Sequence, residues 1–149
     1  MDAGDVEWLR SDEGRAASDE AASLLAELGE LPAQRRLGKR YSRARARALV
    51  TLEAGRRSAA GKFADAGVLF CDRASAEQAS GDIVAAHTAR RFGGFDRIAD
   101  LGCGIGGDTL ALARHAQVEA VDHDRTRLAM LIANAAVRGV ADRVDVSEG

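Results

Sequence analysis

The run Asp100-Leu101-Gly102-Cys103-Gly104-Ile105-Gly106-Gly107-Asp108 concentrates most of the chemistry this sequence can perform. Its glycines let a chain turn sharply at the end of a strand and let a ligand lie against the main chain. A helix that follows such a turn aims its free backbone N–H groups at the same place. Further on, Asp122 closes a second apolar run, Val118-Glu119-Ala120-Val121. In an open parallel sheet that position sets a carboxylate beside the loop, where it can accept from ribose hydroxyls. The two features together describe a nucleoside-cofactor site at the carboxyl ends of adjacent strands.

Two cofactor classes compete for it. Gly102, Gly104 and Gly107 satisfy the dinucleotide pattern G-x-G-x-x-G, so an NAD-dependent oxidoreductase is one reading. Asp100 argues the other way. It is an acid at the tip of an otherwise apolar strand, where a dinucleotide site would pack a pyrophosphate that a fixed carboxylate repels. A cationic sulfonium ligand carrying an α-amino group is favoured by the same charge.

The elements that must position these residues follow from rhythm and punctuation. Residues 97–101 read as a short strand, 102–107 as the turn and 108–114 as a helix. A strand over 118–121, a helix over 126–138 and a third strand from Val144 to Val146 complete the series. Strand, helix, strand, helix, strand is half of an open parallel α/β sheet. Asp124 reads as the cap of the second helix and Cys103 as packing.

Residues 1–92 read as helical. A helix is expected to begin at Ser18-Asp19-Glu20, to carry Ala21, Leu24, Leu25 and Leu28 on one face, and to end at Gly29 and Pro32. Another helix or pair of helices runs from Arg35 to about Lys62, broken near Gly55 or Gly61. Ser75 to Gln78 fits a capping box, and Ser80 can cap a further helix with Ile83, Val84 and His87 on one face. The charge is lopsided. Acids dominate up to Glu30, whereas Arg35, Arg36, Lys39, Arg40, Arg43, Arg45, Arg47, Arg56 and Arg57 meet a single acid, Glu53. Either the acidic and basic helices pair or face solvent, or the stretch 35–57 is a surface for a polyanion such as RNA. Base stacking is not indicated, since only Tyr41 interleaves with the arginines.

Several classes fall away. The 149 residues contain no apolar run long enough for a membrane span, and the acidic N-terminus resembles neither a secretory nor a transit peptide. Cys71 and Cys103 cannot build a disulfide framework or a four-thiolate zinc site, so no metal is expected and a reducing cytoplasm is the default.

At Asp100-Leu101-Gly102-Cys103-Gly104-Ile105-Gly106 the sequence resembles motif I, D/E-x-G-x-G-x-G, of class I S-adenosylmethionine-dependent methyltransferases, and Val118 to Asp122 resembles motif II. The likeness covers roughly residues 70–149. It implies that Asp100 orders the loop and holds the methionine amino group, directly or through water. It implies that Gly102, Gly104 and Gly106 approach the methionine part and ribose, that Asp122 takes the ribose hydroxyls, and that His123 lies beside the adenine. A finer resemblance is to bacterial methyltransferases with a THUMP-like domain, related to trimethylguanosine synthase, the RNA cap guanine-N2 group. It rests on Leu69-Phe70-Cys71-Asp72-Arg73 through Glu77-Gln78-Ala79-Ser80 and on the run ending at Gly107. In such enzymes the segment before motif I folds over the cofactor, so Gln78 and Ser80 become possible contacts to the cofactor carboxylate. An RNA guanine is the substrate the likeness suggests.

The expected architecture is therefore a helical N-terminal region over 1–92, then the first half, about three strands, of a Rossmann-like methyltransferase sheet over 93–149. That family uses about seven strands, and its D/N-P-P-Y/F/W motif needs prolines that the sole proline, Pro32, cannot supply. The chain thus reads as cut short at its C-terminus, with no catalytic residue of its own, weak cofactor binding and an open sheet edge. Beside the oxidoreductase, a non-catalytic helical module for RNA or protein is the remaining alternative.

Overall fold

A computed structural model describes residues 1–149. Helix α1 spans Ala3–Arg10, capped reciprocally by Asp2 and Asp5, and α2 spans Asp12–Leu28. The cap of α2 is Ser11, not Ser18: the Ser11 hydroxyl accepts from the Gly14 N–H at 3.1 Å. Ser18 instead lies buried in mid-helix. Its hydroxyl donates to Glu53 (2.9 Å) and accepts from Arg56 (2.7 Å), a cross-helix bond that no local pattern announces. Gly29 ends α2 at φ +77°, as expected. Pro32, however, falls inside the first turn of α3 (Glu30–Leu37), where a helix needs no N–H donor and proline is tolerated.

Helix α4 runs unbroken over Arg43–Ala59, through Gly55. The interruption in the basic stretch comes earlier, at residues 38–42. Gly55 is a packing residue: a Cβ there would sit 2.3 Å from the carbonyl oxygen of Cys71. Its absence lets α4 lie directly against the segment that leads into α5 (Arg73–Gln78). The capping box of α5 is also shifted by one register. Asp72 accepts from the Ser75 N–H (2.7 Å) and Ser75 Oγ accepts from the Asp72 N–H (3.0 Å), so Ser75 is the reciprocal partner and not the cap.

Helix α6 (Asp82–Arg90) starts from Gly81, leaving Ser80 free for another role. It buries Ala85 and Ala89, whereas Ile83 (87% exposed), Val84 and His87 face solvent. The buried face is the opposite one because α6 packs on α7 (Gly107–Leu112) through its small alanines.

The sheet matches expectation. Strands β1 (Arg97–Leu101), β2 (Gln117–Asp122) and β3 (Val144–Glu148) are all parallel in the order β1-β2-β3, with Asp100 opposite Ala120. This is an α/β fold with half of a Rossmann-like sheet. Helix α8 (Arg125–Val137) joins β2 to β3. Helices α7 and α8 cover one face, burying Val118 and Ala120; Arg97, Ala99, Leu101 and Glu119 lie exposed. β1 is paired on one side only.

Two apolar cores form. The larger gathers α1–α5 and reaches Ile105, Met130 and Ala133; the smaller holds Leu110, Val118, Leu128, Leu131 and Ala135 beneath the sheet. Helix α8 therefore serves both, one stripe toward the sheet and another toward α1. No helix is long and apolar enough to cross a membrane.

Candidate functional site

The glycine-rich turn leaves β1 through Gly102 (φ +80°) and Gly104 (φ +57°), left-handed conformations that L side chains rarely adopt. Nothing lies within 4 Å of where a Cβ would stand on either residue, so their main chain is open to a ligand. The second half of the loop is different. A Cβ on Gly106 would meet Leu131 at 2.4 Å, and one on Gly107 would meet the Ser80 backbone at 2.7 Å. These two glycines fit the loop onto α8 and onto the 78–80 segment.

The Ser80 contact closes a cavity of about 200 Å³ over the loop. Its walls include Gln78, Ser80, Asp100, Gly102, Gly104 and Asp108. Of the residues singled out from sequence, Gln78, Ser80, Asp100, Gly102 and Gly104 thus come together around one space. Gly106, Asp122 and His123 do not line it.

Asp122 is buried at the end of β2. One carboxylate oxygen accepts from the Gly104 N–H and the other from the Asp124 N–H, both at 2.9 Å. Burial alone would push its pKa up. Those two backbone donors, with His123 and Arg127 nearby, outweigh burial and hold it below the ordinary carboxylate value. Asp122 therefore stays ionised and fixes the loop, and each oxygen keeps a lone pair for a further donor. The His123 side chain is 90% exposed, its Nδ1 lying 3.3 Å from Asp122. The cap of α8 is Asp124, which accepts from the N–H groups of Thr126 and Arg127.

Asp100 behaves in the opposite way. Its Oδ2 accepts from the Thr109 hydroxyl, yet its pKa is raised: burial is the largest cause, and the charges of Asp108 and Asp122 add to it. No lysine or arginine forms an ion pair with Asp100, Asp108 or Asp122. Asp108 was not singled out from sequence, where an acid in the first turn of a helix needs no further reason. Ser80 Oγ donates to its Oδ2 at 2.6 Å, but no protein donor reaches its buried Oδ1. Such an orphan costs about 1–3 kcal/mol or more.

Residues far from the site hold its parts in place. Asn134 on α8 donates to the carbonyls of Phe70 (3.0 Å) and Ile105 (3.1 Å) and accepts from the Phe70 N–H (2.7 Å). Lys62 donates to the carbonyls of Ala76 (3.0 Å), Glu77 (2.5 Å) and Ala79 (3.1 Å), fixing the end of α5 that carries Gln78. Cys103 and Cys71 are buried, and burial pushes both thiols up to about 12, so neither offers a thiolate.

The geometry is that of a main-chain cradle flanked by uncompensated acids, and the comparison agrees. Residues 95–149 match the RNA cap guanine-N2 methyltransferase family. The matched segment takes in β1 to β3, with the glycine loop and Asp122, and leaves α1–α6 outside. No curated protein and no solved structure gives a match to the chain. The matched segment is thus similar to a methyltransferase family, and it is the segment that supplies Asp100, Gly102, Gly104 and Asp108.

Proposed function

We propose that the chain is the cofactor-binding part of an S-adenosylmethionine-dependent methyltransferase acting on RNA, a guanine amino group being the acceptor suggested by the matched family. The observation that carries this is electrostatic. Asp100 and Asp108 line the cavity over the glycine cradle, and Asp122 accepts from the Gly104 N–H of that cradle. The one cationic side chain on the cavity, Arg127, is paired with Asp124 and not with any of these three. A pyrophosphate would be repelled there, which disfavours NAD, whereas a ligand bearing a sulfonium and an ammonium is attracted.

The residues present fit that cofactor. Gly102 and Gly104 offer main chain without a blocking Cβ, and Asp100 faces the same space. Asp122, held ionised by the Gly104 and Asp124 N–H groups, can accept the ribose hydroxyls with its free lone pairs. Gln78 and Ser80 close over the loop toward the carboxylate end, and His123 lies outside it, on the adenine side. When bound, the cofactor supplies an activated methyl group. The chain's part is to orient it and exclude water, and catalysis of this kind works through positioning.

On the substrate side, Arg40, Arg45 and Arg56 are already paired with Glu20, Glu13 and Glu53. Arg35, Lys39 and Arg43 are not. They line a groove of about 440 Å³ between α3 and α4 that holds no acid. An RNA backbone suits that groove, and residues 1–92 would then present substrate to the cofactor held by 93–149.

Calorimetry with S-adenosylhomocysteine tests the cofactor reading. Saturable binding is expected, lost by about tenfold or more in Asp122→Ala. Binding of NADH in its place would overturn it.

A further inference from the structure

Lys62 follows the end of α4 and is not a wall of the cavity, yet the cavity's roof depends on it. That roof is residues 78–80, between α5 and α6, and all three line the cavity. Helix α5 has six residues, too few to be stable by itself, and its last carbonyls have no partner within the helix. An ammonium has three N–H donors. Lys62 uses its ammonium on three carbonyls at this one place, those of Ala76, Glu77 and Ala79. Its own carbonyl accepts from the Asp82 N–H at 2.9 Å, where α6 begins. One residue therefore grips the roof at both ends. Gly81 permits the second grip, since a Cβ there would stand 3.0 Å from the Lys62 carbonyl oxygen. On its other side the roof rests on the glycine loop, the Ser80 backbone against Gly107 and the Ser80 hydroxyl on Asp108. A lysine that only capped α5 would take helix carbonyls. It would not also hold Ala79, in the roof itself, and the first N–H of the next helix.

We infer that Lys62 is a positioning residue for the cofactor site, holding residues 78–80 down on the glycine loop and so setting how fast a bound cofactor leaves. It touches no ligand and acts through the segment that carries Gln78 and Ser80. A cover that must lift before a ligand escapes governs release. Loosening that cover also lowers affinity, because the closed state is then less populated before binding. The inference rests on the cofactor reading above and adds to it a residue from outside the matched segment 95–149. It gives the helical region a share in cofactor binding.

The test uses the full chain, with S-adenosylhomocysteine as the probe, and reads its binding and release rates together with amide hydrogen exchange. Lys62→Met keeps the stem and removes the donors. Release about five- to tenfold faster is expected, with association unchanged to within about twofold. Faster exchange should be confined to the amides of residues 78–82 and reversed by saturating ligand. Lys62→Arg keeps a cation with several donors and should release within about twofold of the wild type. Gly81→Ala presses on the same contact from the other side, with the lysine intact, and should also speed release. Release at the wild-type rate in both Lys62→Met and Gly81→Ala overturns the assignment while leaving the cofactor reading in place. Equal impairment of the Met and Arg variants overturns it too. So does exchange that rises evenly over α4 and the sheet, since Lys62 would then be merely structural. If the wild type does not bind the probe, the cofactor reading and this inference fall together.

Discussion

Buried charge is handled in opposite ways in the two halves of this molecule. In the helical region, Glu53 and Arg56 meet at 2.6 Å, Ser18 bridges them, and Arg56 also donates to the Leu69 carbonyl. Between the halves, Arg138 on α8 takes both oxygens of Asp65 and one of Asp82, over the ring of Phe63. Each of these three acids has a cation. Around the glycine loop, Asp100 and Asp108 have no ion-pair partner, and Asp122 has an exposed imidazole beside it and Arg127, itself paired with Asp124, nearby. A closed network fixes one packing at little net cost, since its desolvation is offset internally. An unclosed one lowers the stability of the ligand-free fold and holds an attraction in reserve for a cation. The first half is arranged as scaffold, the second holds the candidate site.

Breaking the junction between them should give the largest effect. Asn134→Leu would strip the Phe70 N–H and the Phe70 and Ile105 carbonyls of their partners at once. A loss of about 3 kcal/mol or more is expected, read as a lower denaturant midpoint, with cofactor affinity lost as the loop comes away.

A smaller effect, about 2 kcal/mol, is expected for Arg138→Met, which leaves Asp65 and Asp82 without a cation. The pH dependence identifies its source. Burial raises the Asp65 pKa, but the Arg138 hydrogen bond and charge outweigh it, so the folded value lies below the ordinary 3.8. The stability this contributes is complete above 3.8 and is lost as pH falls through the folded value. The wild type and the variant should therefore differ at neutral pH and converge in acid. Parallel curves across the whole range would show that the arginine acts by packing alone.

The smallest effect has the opposite sign. The Asp100 pKa is raised chiefly by burial, so its ionisation costs stability as pH rises past the ordinary range. Asp100→Asn, which can still accept from Thr109, should slightly stabilise the ligand-free chain near neutral pH, read as a higher denaturant midpoint, while weakening S-adenosylhomocysteine binding. A destabilised variant would place Asp100 with the scaffold and erase the contrast between the halves.

The sheet half was legible residue by residue. Its period changes sharply after Gly94, and a glycine-rich turn between two apolar runs has few alternative structures. The helical half was legible in kind but not in register. Ser18 and Ser75 look like caps because cap chemistry is local, but the caps that form are Ser11 and Asp72. Gly55 looks like a breaker for the same reason, and the close approach of the Cys71 carbonyl that requires a glycine is invisible to sequence spacing. Ile83, Val84 and His87 share a face in the sequence, and only the packing of α6 on α7 shows that this face is the exposed one and that Ala85 and Ala89 are buried.

The sequence by itself determined the order of elements in residues 97–148, the glycine turn and the acid that ends β2, because strand periodicity, glycine φ freedom and capping are short-range. Tertiary structure alone decided which glycines are left open and which face Leu131 and Ser80. It also decided which arginines remain free for a partner, and that Asp108 ends beside Asp100 with one oxygen unserved. Those outcomes depend on distances between segments remote in the chain, and burial sets their energies.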